Sequence, residues 1–135
     1  ESTERDRSVA GTTAGARILI VDDEKSVRES TAALLRGRGY KVITRENGAE
    51  AVEYYGNSWP HIDLVILDMN MPVMNGHDAF FAMREINPEL KAMLATGYSL
   101  DHDAEETLNG GALAHIQKPY RIRDLIRLIE QALRG

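Results

Sequence analysis

Five short runs punctuate this sequence, and four of them show almost no polar alternation: residues 18–21 (ILIV), 62–67 (IDLVIL), 92–95 (AMLA) and 112–116 (ALAHI). A strand that is apolar at successive positions is buried on both faces. Burial on both faces belongs to a parallel sheet with helices packed on either side. Residues 41–44 (KVIT) form a weaker run, opened by a turn at Gly37 and Gly39. The fold is therefore constrained before any single residue is given a role.

Helical patterns fill the gaps between these runs. Val27, Thr31, Leu34 and Leu35 share one face of a first helix, Gly48, Ala51, Val52 and Tyr55 of a second, and Phe80, Met83 and Ile86 of a third. A fourth, over residues 101–109, has only Leu100, Ala104 and Leu108 to anchor it and is expected to be the loosest. The last, after Pro119, carries Ile122, Leu125, Ile126, Ile129 and Leu133 on one face, with Leu128 off that stripe. Five strands alternating with five helices predict a doubly wound α/β domain with right-handed crossovers. In the flavodoxin-like strand order 2-1-3-4-5, the first and third strands are neighbours. The working site of such a sheet lies beyond the carboxyl ends of the strands, at the switch point.

Composition removes several classes of function. At 135 residues the chain fits one domain. A net charge of −5 argues against an electrostatic grip on nucleic acid. No run of eighteen or so apolar residues is present, so no membrane span is expected. The absence of cysteine excludes disulfides, thiolate metal sites and cysteine nucleophiles. With no secretory signal, a cytoplasmic location is the default. Residues 1–15, rich in Ser, Thr, Gly and mixed charge, read as a flexible linker or tag remnant, and residues 16–135 as the domain. An opening Glu1 rather than Met suggests a piece of something longer.

The strand ends carry the chemistry. The first run ends in Asp22 and Asp23, the third in Asp68, the fourth in Thr96 and Gly97, the fifth in Lys118 and Pro119. Each has a bland reading: paired aspartates cap helices, Lys-Pro and Thr-Gly make turns. An Asp closing a buried run is odder, because an unpartnered buried carboxylate costs several kcal/mol. Their joint occurrence at four strand ends favours a site. Three converging carboxylates repel and call for a cation, and oxygen donors of this kind suit Mg²⁺ or Mn²⁺. No Gly-rich loop follows the first run, so phosphate would be bound only through the metal.

ILIVDDE, LVILDMNMPVMNG, ATG and QKPY, in that order and spacing, resemble the receiver domain of two-component response regulators. The resemblance spans nearly all of the folded part. It implies that Asp68 is the phosphoacceptor, served by a histidine kinase or phosphotransfer domain in a phosphorelay. It implies that Asp22, Asp23, Asp68 and the Asn70 backbone carbonyl hold Mg²⁺, that the Thr96 hydroxyl follows the phosphoryl group and the Lys118 cation pairs with it, and that Lys118-Pro119 is cis. Gly97 keeps the space clear by being small, and Asn70 and Tyr98 flank the path of an attacking water. His115 departs from the pattern: it stands where the family usually carries a switching Tyr or Phe, which puts that switch in doubt.

The TGYS stretch, the linker-like start and the stop after the last helix resemble receivers at the carboxyl end of hybrid sensor kinases, with a single-domain regulator as the alternative. Leu128 reads either as a partner or homodimer contact, on a face shared with the fourth helix and fifth strand, or as one exposed leucine. The competing activity is a hydrolase of the DxD type that forms and cleaves an aspartyl phosphate. That chemistry wants an acid two residues after the nucleophile, where this chain has Asn70.

Overall fold

The computed structural model describes residues 13–97 and 100–135. In chain order the elements are β1 (Arg17–Val21), α1 (Lys25–Gly37), β2 (Lys41–Arg45), α2 (Gly48–Ser58), a 3₁₀ turn (Trp59–His61), β3 (Leu64–Asp68), α3 (Gly76–Ile86), β4 (Ala92–Thr96), α4 (His102–Asn109), β5 (Ala114–Gln117) and α5 (Ile122–Arg134). All five strands are parallel and lie in the order β2-β1-β3-β4-β5. The flavodoxin-like order expected from the sequence is the order found.

Unbroken apolarity has the cause inferred for it. Leu19, Val21, Val65, Leu67 and Leu94 face one layer, where Ala51, Tyr55, Phe80, Met83 and Ala104 from α2, α3 and α4 cover them. Their neighbours Ile18, Ile20, Leu64, Ile66 and Met93 face the opposite layer, covered by Leu35, Leu125, Ile126 and Ile129 of α1 and α5. Alternate residues of one strand therefore serve two cores. Asn47, Asn75 and Asp101 cap α2, α3 and α4 by accepting the N–H groups of Glu50, Asp78 and Ala104.

Several boundaries differ from expectation. The third strand starts at Leu64 rather than residue 62, because the 3₁₀ turn around Pro60 occupies the approach. The fifth starts at Ala114, two residues late. Leu34, expected on the buried face of α1, is 52% exposed, and Ala32 takes its place in the core. Leu128 is partly buried against the α1–α5 core rather than off it. Residues 1–12 lie outside the described residues. Gly15 donates its N–H to the Gly39 carbonyl, and the Thr13 hydroxyl bonds that of Tyr40.

Candidate functional site

Register brings the acids together. Val21 pairs with Leu67 across β1 and β3, so the next residues, Asp22 and Asp68, emerge side by side at the carboxyl ends of the two strands. Asp22, Asp23 and Asp68 each offer a carboxylate oxygen, and these atoms lie within 4.8 Å of one another. Asp22 and Asp68 are almost fully buried, while Asp23 is exposed. Lys118 reaches in from the end of β5, its backbone N–H held by the Thr96 carbonyl at 2.8 Å. Its ammonium stands 2.9 Å from Asp22 Oδ2 and 3.3 Å from Asp68 Oδ2. The Lys118-Pro119 bond is cis.

The electrostatics of this cluster are unbalanced. Burial pushes the Asp68 carboxyl up from 3.8 to about 7, against the pull of Lys118, with Asp22 adding repulsion. The Asn70 N–H, 3.2 Å from Asp68 Oδ1, opposes the rise in part. Burial disfavours the Lys118 charge, but the hydrogen bond it donates to Asp22 and the charges of Asp68 and Asp22 outweigh this, and the ammonium is held well above its ordinary range. Two buried carboxylates, Asp22 and Asp68, share one ammonium with the exposed Asp23 beside them, so negative charge is left unmatched. A hard divalent cation with oxygen preference fits this donor set.

Backbone packing fixes the loop after β3. A Cβ on Gly76 would stand 2.6 Å from the Asp68 carbonyl oxygen, and one on Gly48 2.4 Å from the carbonyl of Met74. Neither neighbour is a side chain that can turn aside, so both positions require glycine. Between them Val73, 82% exposed, holds φ at 69°. A β-branched residue is rare in that region, which marks the loop as locally strained. Thr96 closes β4 as a buried hydroxyl. At Gly97 a Cβ would meet nothing nearer than Asn70 Nδ2 at 4.0 Å, so the space beside it is open.

Not every candidate joins the cluster. His115 sits exposed on the edge strand β5, opposite Leu94 in register. Tyr98 lies outside the described residues. The structure also supplies neighbours that sequence reasoning passed over. Glu24 donates its N–H to Asp22 Oδ1 at 2.9 Å and places Oε1 3.2 Å from Lys118 Nζ. Arg28 grips the Asp22 carbonyl at 2.8 Å. Tyr120, two past the lysine, shares a hydrogen bond with Thr31 of α1. The signal for Glu24 was present as a third acid directly after the pair, but nothing in a sequence fixes which way it turns. A groove of about 790 Å³ opens beside Lys118, walled by Val27, Thr31, Leu34 and Tyr120.

The sequence matches the response regulator receiver domain family over residues 18–130. The response regulator SaeR of Staphylococcus aureus is 32% identical over 116 residues, covering 86% of this chain and 50% of SaeR. The chain thus spans about half the length of the curated relatives it matches. A CheY-like receiver domain protein from Methanospirillum hungatei superposes with a TM-score of 0.84 at 31% identity, covering 90% of this chain and 95% of its own. The CheY of Borrelia burgdorferi, crystallised with CheX, BeF3 and Mg²⁺, gives 0.82 at 26% identity, over 87% and 89% of the two chains.

Proposed function

This chain belongs to the response regulator receiver domain family, and from that premise we propose that it accepts a phosphoryl group on Asp68 from a phosphohistidine of a histidine kinase or phosphotransfer domain. One observation carries the reading: the Lys118 ammonium bridges two buried acids, Asp22 and Asp68, at the ends of adjacent strands. An Asp68 oxygen attacks phosphorus in line, and the bond from phosphorus to the donor imidazole breaks, its electron pair leaving on nitrogen. Lys118 pairs with a phosphoryl oxygen, and the Thr96 hydroxyl donates to another. Asp22, Asp23, Asp68 and the Asn70 carbonyl would hold Mg²⁺ or Mn²⁺. A bound divalent ion neutralises the acids and the charge spread over the transferring oxygens. Support for that pairing of residues and ion comes from the unmatched charge at the site and from the Borrelia complex with Mg²⁺.

Secondary roles follow from position. Asn70 and Tyr98 tune hydrolysis of the acyl phosphate, Gly97 leaves room for it, and Pro119 shapes the turn that aims Lys118. His115, exposed on the outer strand, is read as a strand residue with no switching role rather than as an inward-turning ring. We place the receiver unit at residues 16–135, with Thr13 and Gly15 tied to it through Tyr40 and Gly39 and the residues before them as linker. Its partners are a kinase or phosphotransfer protein in the cytoplasm and, through α4, β5 and α5, a second copy. Among the described residues no helix is long and apolar enough to cross a membrane. The hydrolase alternative is disfavoured, because Asn70 cannot supply the acid it needs.

Incubation with acetyl phosphate and Mg²⁺ should add one hydroxylamine-sensitive phosphoryl group, and Asp68→Asn should abolish it. Persistent labelling of that variant would defeat the assignment. Beryllofluoride should bind only with the divalent ion present and should shift amide signals in α4; an unmoved α4 would remove it as the switching element.

A further inference from the structure

Glu24 is the acid at this site that the phosphoacceptor and metal roles leave unused. It stands at the amino-terminal cap of α1, yet its side chain makes no capping hydrogen bond. The carboxylate turns instead to Lys118, with Oε1 3.2 Å from Nζ. Its departure point is fixed, because its own N–H is committed to Asp22 Oδ1. An ammonium has three donors, and among the described residues the acids around this one number three: Asp22 at 2.9 Å, Glu24 at 3.2 Å and Asp68 at 3.3 Å. Two are buried and belong to the proposed chemistry, whereas the Glu24 side chain is 60% exposed.

We propose that Glu24 is a positioning residue that restrains the Lys118 ammonium at the outer side of the site and so sets the rate at which Asp68 is phosphorylated. The inference rests on the phosphoacceptor reading given above. To meet an incoming phosphoryl oxygen, Lys118 has to release one of its three partners. Asp22 is buried and tied by the Glu24 N–H, and Asp68 is the acceptor itself. The contact with Glu24 is the outermost and the most hydrated, so it is the one that breaks. Each turnover begins with that release, and the bond changes at phosphorus are unaltered by it.

Two variants separate contact from charge. Glu24→Gln removes the charge and with it the ion pair, leaving at most a neutral amide oxygen as acceptor. Glu24→Asp keeps the charge but shortens the arm by a methylene, and Asp at a cap position is drawn to the free N–H groups of the helix start. Both should label about two- to fivefold faster than wild type with acetyl phosphate and Mg²⁺, the scale expected for losing one partly exposed ion pair. In both, Lys118 should also acylate faster with an N-hydroxysuccinimide ester, read by mass spectrometry on unphosphorylated protein. A Glu24→Asp variant that labels like wild type, while Glu24→Gln is fast, would mean that charge acts through space and would overturn the proposal. Unchanged Lys118 acylation in both variants, or unchanged labelling in both, would overturn it as well. If wild type took no label at Asp68, the phosphoacceptor reading would fail. The acylation comparison needs no phosphate and would still decide whether Glu24 holds Lys118.

Discussion

The two helices that flank β5 are attached by different physics. α5 runs for 13 residues and buries Leu125, Ile126, Ile129 and Ala132. α4 runs for eight and buries only Ala104 and Thr107, with Leu108 and, just ahead of the helix, Leu100 partly covered. What α4 lacks in apolar area it replaces with polar and steric joints to α3. His77 of α3 bonds Glu106 of α4 through Nε2 while Nδ1 meets Asp78 at 2.9 Å. Gly110, just past α4, lies under the Phe81 ring. Burying one large aliphatic side chain is worth about 1.5–3 kcal/mol, so α5 is secured several times over, and α4 is held by contacts that can be exchanged one at a time. A charge change at Asp68 is therefore more easily answered by α4 than by α5.

The largest expected effect tests the anchored side. Ile129→Ala empties a fully buried position between α5 and the sheet and should lower global stability by about 3 kcal/mol, measured by urea unfolding. Leu108→Ala on α4 should cost about 1 kcal/mol or less, because that side chain is only partly covered. Equal losses in the two variants would break the contrast.

Much of this arrangement was legible beforehand, for a physical reason. Parallel strands buried on both faces leave long apolar runs, and their carboxyl ends are where the polar residues resume. Asp22, Asp68 and Lys118 could thus be placed together from chain position and strand order alone. The meagre apolar content of α4 was readable in the same way. Contacts that depend on which way a side chain turns were not. Glu24 faces Lys118 instead of capping its helix, and His77 reaches across to Glu106, neither of which leaves a periodic trace. The glycine requirement at Gly48 and Gly76 is set by the carbonyls of Met74 and Asp68, whose approach only the folded chain creates. Leu34 went astray because helical spacing does not say where a buried face ends: Ala32 filled the core, and Leu34 was left to wall the groove.

A smaller effect sharpens the α3–α4 joint. A Cβ at Gly110 would stand 2.6 Å from Phe81 Cζ, and the ring has to move to admit it. Gly110→Ala should cost about 1–2 kcal/mol, the lower part of the range typical of overpacking. The disturbance should be confined to amide signals of α3 and α4, leaving those of α5 in place. Shifts spread evenly over all three helices would show that α4 is coupled as firmly as its neighbour.

The smallest effect is a dependence on pH. The hydrogen bond to Asp78 raises the His77 imidazole above its ordinary 6.5, burial works against this, and Glu106 and Asp103 add to the rise. A histidine whose folded value lies above its unfolded one stabilises the fold fully below about 6.5, and the contribution fades as pH rises through the folded value. Both partner acids are exposed, Asp78 at 63% and Glu106 at 52%, so the pair is screened and modest. His77→Gln should therefore reduce amide-exchange protection in α4 by about twofold at pH 6 relative to wild type at the same pH. At pH 9 the variant and wild type should converge, and α5 should be indifferent throughout. A deficit in α4 that persisted unchanged at pH 9 would mean that His77 acts through its edge-on packing against Phe81 rather than through its charge, and the joint would then be steric from end to end.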